Sequence, residues 1–125
     1  MATSDKPLVE PHSGPAPTDL LIEDIIVGEG RMADVGCQAV VHYVGVSMSR
    51  GDEFDSSWDR GDPLSFTLGA GSVISGWDRG VVGMRVGGRR RLVIPPHLGY
   101  GDRGAGGVIA PGETLIFVVD LVDVR

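Results

Sequence analysis

The chain has a single cysteine, Cys37, so no internal disulfide can form, and a reducing compartment is the simpler setting. A cytoplasmic location is therefore expected. Lysine is almost missing too: Lys6 is the only one, and the other basic residues are arginines, a bias typical of GC-rich bacterial genomes. No stretch approaches the roughly 18 consecutive apolar residues of a membrane span. The opening "MATSDKPLVEPHSGPAPTD" lacks an apolar segment behind a basic one, so it does not read as a secretory signal. Basic charge is scarce as well. A net charge of −6 argues against a nucleic-acid partner, whose affinity rests largely on phosphate neutralisation. The one local exception, Arg89-Arg90-Arg91, puts Arg89 and Arg91 on the same side of a strand, where a solvated sheet face is the plain reading.

Catalytic and ligating patterns are equally thin. His12, His42 and His97 are scattered without H-x-x-x-H spacing, and no C-x-x-C occurs, so neither a metal nor another cofactor is expected. Asp52, Glu53, Asp55 and Asp59 crowd one segment but lack the EF-hand spacing and its closing glutamate. Cys37 and His42 are five residues apart, an odd offset that sends them to opposite faces of a strand. "GYGDRG" (99–104) matches G-x-G-x-x-G, yet "AGGVIAPG" follows it and cannot sustain the helix that a pyrophosphate site requires.

What the chain does have is glycine, proline and alternation. At 125 residues it is large enough for one domain with one core. Residues 1–18, with Pro7, Pro11, Pro15 and Pro17 among small polar residues, read as a flexible tail, leaving 19–125 as the folded unit. "GCQAVVHYVGVSM" places Cys37, Ala39, Val41 and Tyr43 on one face, and "TLIFVVDLVDV" does the same with Leu115, Phe117, Val119 and Leu121. "PLSFTLGAG" and "RRRLVIP" add shorter strands. No helices are regularly interleaved, so the sheet should be antiparallel. One helix is expected, over 75–81 in "VISGWDRGVVGM", where Ile74, Trp77, Val81 and Met84 recur at helical spacing. This gives an α+β fold, a sheet with one short helix over its apolar face. Two connections, 46–62 and 95–112, are long enough to suggest function.

The short helix carries Trp77 between Gly76, Gly80 and Gly83, although each interior glycine costs about 1 kcal/mol against alanine. Such a helix suits a place where something approaches its backbone closely, with the indole as a floor. Tyr43, Phe54, Phe66, Trp77, Tyr100 and Phe117 are all but one of the aromatic residues. Core packing accounts for Phe66 and Phe117. It accounts less well for Tyr100 in a glycine-rich loop, or for Phe54 beside Asp55. An apolar pocket with a few polar groups is the usual form of a small-ligand site.

These residues fall into a family pattern. "VVHYVG" (40–45), "FDSSWDRGDPLSFTLGAGSVISGWDRGVVGMRVGGRRRLVIPPHLGYG" (54–101) and "GVIAPGETLIFVVDLVDV" (107–124) resemble the FKBP-type peptidyl-prolyl cis–trans isomerases, from about residue 20 to the C-terminus. The resemblance implies a strongly twisted antiparallel β-sheet wrapped around one short α-helix. It also implies a proline pocket with Trp77 as floor and Tyr43, Phe54, Leu64, Phe66, Val73, Ile74 and Phe117 around it. Asp55 would bond to Tyr43 and Arg60. Tyr100 Oη and the Ile74 backbone N–H would offer donors, and Val108 and Ile109 would line a glycine-rich flap. Leu64, Leu98 and Ala105 depart from residues common in the family, phenylalanine, tyrosine and histidine respectively.

The implied activity is rotation about X-Pro bonds in proline-containing peptides or proteins, assisting protein folding. Rapamycin-type macrolides are expected ligands, and the protein is expected to act as a monomer without nucleic acid or membrane. A competing reading keeps the pocket but makes it a proline-recognition or chaperone-like module with incidental catalysis. A third, a small β-barrel using Arg89–Arg91 on nucleic acid, conflicts with the acidic charge.

Overall fold

The computed structural model describes residues 5–105 and 108–125. Its elements are β1 (Leu21–Ile26), β2 (Gln38–Ser47), β3 (Glu53–Ser56), α1 (Ser57–Arg60), β4 (Leu64–Thr67), α2 (Ser75–Gly80), β5 (Arg89–Ile94), a 3₁₀ turn (Pro96–Leu98) and β6 (Leu115–Val124). Among the described residues no helix is long and apolar enough to cross a membrane.

The two strands with the clearest alternation, β2 and β6, are the longest and lie antiparallel at the centre, paired from Ala39–Val124 to Ser47–Leu115. The sheet runs β1-β5-β6-β2-β3, with β4 also on β2, and every pairing is antiparallel. Leu115, Phe117, Val119 and Leu121 of β6 join Val41 and Tyr43 of β2 and Leu92 and Ile94 of β5 in the main core. Fully burying an aliphatic side chain such as Leu92, Ile94 or Leu115 contributes about 1.5–3 kcal/mol. Ile116, Val93 and Val46 point the other way and form a smaller cluster on the outer face.

Helix α2 covers the inner face as expected, with Val81 as its C-cap. Its glycines, however, face the sheet. A Cβ on Gly76 would stand 2.6 Å from Ile94, and one on Gly80 2.7 Å from Leu92. They let the helix backbone settle onto β5. The room they make is for the protein's own strand, which corrects the expectation that Gly76 clears space beside the indole for a ligand. Arg90 closes the helix by donating Nη1–H to the carbonyls of Gly80 (2.8 Å) and Val82 (3.0 Å), a favourable place for a cation.

Two further differences from the sequence reading have local causes. The 46–62 connection holds β3 and α1. Ser56 Oγ accepts the Asp59 N–H at the start of α1, and Gly61 ends it at φ 69°. The triple arginine is also not a solvated face, since each of its side chains is only 11% exposed. Arg89 pairs with Asp120, Arg90 with Asp24 and Arg91 with Glu23, each at 2.7 Å. Residues 5–13 run over the outer face, where the Asp5 carbonyl accepts from Arg89 Nη2 and the Glu10 carbonyl from Arg91 Nη2. Val9 packs on the outer cluster of Val46, Val93 and Ile116.

Candidate active site

Strand β2 changes partner in mid-course, and the site is built at the change. Its ladder with β4 ends at Val41, and that with β3 begins at Val44. In the gap the fully buried Ser57, first residue of α1, substitutes for a strand: its Oγ accepts the Tyr43 N–H at 2.7 Å and lies 2.8 Å from His42 Nδ1. Helix α1 thereby fixes the backbone of Tyr43 and brings Arg60 back over it. The Tyr43 hydroxyl donates to Asp55 Oδ2 at 2.5 Å. Arg60 binds Asp55 Oδ1 through Nη1 at 2.5 Å, and the Tyr43 hydroxyl through Nη2 at 2.8 Å. The guanidinium carbon lies 5.6 Å from the Tyr43 ring centroid, which adds a cation–π contact.

Beneath this network the aromatic rings interlock. Trp77, 4% exposed, meets Tyr43 edge-on at 4.8 Å, Phe117 at 5.3 Å and Phe66 at 5.8 Å between centroids. Phe54 meets Phe117 edge-on at 5.5 Å. Gly45 permits that contact, because a Cβ there would stand 2.6 Å from both rings. The rings border a cavity of about 180 Å³ lined by Tyr43, Phe54, Asp55, Leu64, Ser72, Val73, Ile74, Trp77, Tyr100 and Phe117. Drug-sized ligands occupy roughly 300–1,000 Å³. This space suits one ring.

Nine of the expected site residues thus line one cavity. Ser72 joins them without any signal in the sequence reading. Phe66 lies behind the floor, buried against Trp77, and Arg60 acts from outside through Asp55 and Tyr43. Val108 and Ile109 are not among the lining residues. Ile109 is buried in the core, Val108 is exposed, and both border a neighbouring cavity of about 220 Å³. The flap's Gly106 and Gly107 lie outside the described residues. A larger cavity of about 490 Å³ lies on the outer face beneath residues 7–13, but its lining holds no phenylalanine, tyrosine or tryptophan.

Two donors at the inner cavity are unused. The Tyr100 hydroxyl and the Ile74 backbone N–H, at the N-cap of α2, have no hydrogen-bond partner among the described residues. Burial, with a smaller push from Asp55, raises the Tyr100 phenol above its ordinary value. Burial and the Asp55 hydrogen bond do the same for Tyr43, against Arg60. Both hydroxyls therefore stay protonated at neutral pH.

An antiparallel sheet wrapped on a short helix, with an aromatic cavity and two donors beside it that have no partner among the described residues, is an arrangement that can receive one apolar ring and offer hydrogen bonds to acceptors next to it. The family model for FKBP-type peptidyl-prolyl cis–trans isomerases matches residues 29–122. The chain belongs to that family and is a peptidyl-prolyl cis–trans isomerase. It is 64% identical over 121 residues to an FK506-binding protein of Streptomyces anulatus, covering 96% of this chain and 98% of that one. It is 49% identical over 104 residues to the peptidyl-prolyl cis-trans isomerase FPR2 of Saccharomyces cerevisiae, covering 83% and 74%. Among solved structures it resembles AtFKBP13 (TM-score 0.79, 41% identity, 88% and 96% covered) and FkpA from Escherichia coli (0.78, 39%, 98% and 54%).

Proposed function

We propose that the proline ring of the substrate lies on Trp77, and that the imide bond rotates in this cavity because water is excluded while the twisted form is held. The resting amide is planar and charge-separated, with a barrier of about 18–20 kcal/mol to rotation. Water bonded to its carbonyl favours that planar form. Transfer to an apolar cavity removes those bonds, and the twisted form, being less polar, loses less. The Tyr100 hydroxyl and the Ile74 N–H then bind substrate carbonyls, and only contacts stronger in the twisted state raise the rate. Asp55 serves as a brace. Both its oxygens are engaged by Tyr43 and Arg60, and no proton transfer or covalent intermediate is required.

The observation that carries this reading is the pairing of free donors with an apolar cavity of single-ring size. Substrates are proline-containing peptide or protein segments, and the protein acts as a cytoplasmic monomer in protein folding. The relatives named FK506-binding proteins support a macrolide of that type as a competing occupant of the same cavity. The test is isomerisation of X-Pro peptides followed by NMR exchange, with and without such a macrolide. Acceleration that the macrolide abolishes, with resonances of Trp77 and Tyr100 shifting on binding, is expected. Acceleration that persists at saturating macrolide would place catalysis elsewhere.

A further inference from the structure

We propose that the neighbouring 220 Å³ cavity is a subsite for an acidic side chain of the substrate, two residues from the proline. The proposal rests on the Trp77 cavity being the proline site. Its position follows from the sheet. Gly45 pairs with Phe117 at the proline cavity, and Ser47 with Leu115 two residues further along β2 and β6. An offset of two keeps the same face, and Leu115 shares the inner core with Phe117. At about 3.3 Å per residue Ser47 lies about 7 Å along β2 from Gly45, the reach of two extended residues. Neighbouring segments border both: Phe54 of β3 and Asp52 of the turn before it, and Tyr100 and Arg103 of the 95–112 loop.

The chemistry is set by what the lining leaves unused. Ser47 is 6% exposed, and its Oγ is buried without a partner among the described residues. A buried hydroxyl with no bond is costly, and a ligand oxygen would relieve it. Glu113 is already served, since Ser49 donates Oγ–H to Oε1 at 2.6 Å and N–H to Oε2 at 3.1 Å. Arg50 and Arg103 make no ion pair among the described residues, and Asp52 is the one lining carboxylate left without a partner there. Counting Glu113, whose Ser49 partners are neutral, the lining is formally balanced, two arginines against two carboxylates; but the two guanidinium groups outnumber Asp52 among its charged groups that have no partner among the described residues. A carboxylate satisfies both guanidinium groups and the hydroxyl.

The test uses the full chain and peptides carrying Glu, Gln or Lys two residues before or after the proline. At low salt kcat/KM for Glu should exceed that for Gln by about threefold to fivefold at one of the two positions, the scale of a partly exposed ion pair. The advantage should fall towards one at 1 M salt. The double variant R50E/R103E should reverse the order in favour of Lys, which loss of folding could not do. Equal rates for Glu and Gln at both positions in low salt overturn the subsite while leaving the proline site standing. A Glu preference that survives in R50E/R103E also overturns it. Failure of the folded protein to turn over any of the peptides removes the proline-site reading, and the subsite with it.

Discussion

Asp55 has no oxygen to spare: one is taken by the Tyr43 hydroxyl and the other by Arg60. Replacing it with valine leaves a hydroxyl and a guanidinium group without their common acceptor, and Tyr43 then loses its fixed place at the cavity wall. Isomerase kcat/KM should fall about tenfold or more, with the circular dichroism spectrum of the native fold retained. Phe54→Ala should cost a similar factor by opening the wall against Phe117, and full activity in a folded variant of either kind would relocate the site. Tyr100 differs because its hydroxyl has no hydrogen-bond partner among the described residues. Removing it with Tyr100→Phe should lower kcat and kcat/KM together by roughly twofold to tenfold, the worth of one hydrogen bond made in the twisted state. A rise in KM alone would mean that Tyr100 only binds. At this scale the lining of the cavity was largely legible, because its aromatics stand beside glycines and turns. Ser72 gave no signal, and the sequence could not tell that Ile109 is buried and borders the neighbouring cavity, because an apolar residue in a glycine-rich loop looks the same whether it lines a pocket or plugs the core.

Among the elements, β2 and β6 could be read from periodicity because each is long enough to repeat its period, and α2 because the apolar spacing continues past its six residues from Ile74 to Met84. Helix α1 could not. Four residues complete barely one turn, and its only marks are the cap at Ser56 and the left-handed Gly61. Yet α1 is what fills the break in the β2 ladder through Ser57, so the shortest helix positions the longest network. The glycines of α2 were read for the wrong partner, since a sequence shows that a backbone is approached but not by what. That correction is testable. Alanine at position 76 would gain about 1 kcal/mol of helix propensity, but its methyl would press into Ile94, which is fully buried and cannot yield. Overpacking of this kind costs about 1–3 kcal/mol. Urea unfolding of Gly76→Ala should therefore show a net loss of up to about 2 kcal/mol, and a more stable variant would mean the helix does not lie as close to β5 as described.

For the whole molecule, two properties follow from how charge and cover are distributed. The phenols of Tyr43 and Tyr100 are raised from a usual value of about 10, burial being the first cause, so neither ionises between pH 6 and 8. With the neutral form favoured in the fold, their contribution to stability is complete below the unfolded value and is lost only as pH rises through the raised one. Over pH 6–8 kcat/KM should be flat to within about twofold, whereas a steep bell in that range would indicate acid–base catalysis. The second property concerns the N-terminal segment, whose proline-rich composition hides its contacts because most are made by backbone carbonyls, one valine and one lysine. The Asp5 and Glu10 carbonyls accept from Arg89 and Arg91, Val9 covers the outer cluster, and Lys6 reaches Glu53 and Asp59. Deleting residues 1–13 would uncover two arginines and an apolar cluster, at a cost of about 1–3 kcal/mol or several degrees in Tm. The segment lies across the sheet from Trp77, and exposed ion pairs such as those of Lys6 contribute little. The rate well below Tm should therefore stay within about twofold of the full chain. Scanning calorimetry and the peptide assay on the same preparation separate the two effects: an unchanged Tm would show the segment to be a free tail, and a lost rate at full stability would make it part of the site.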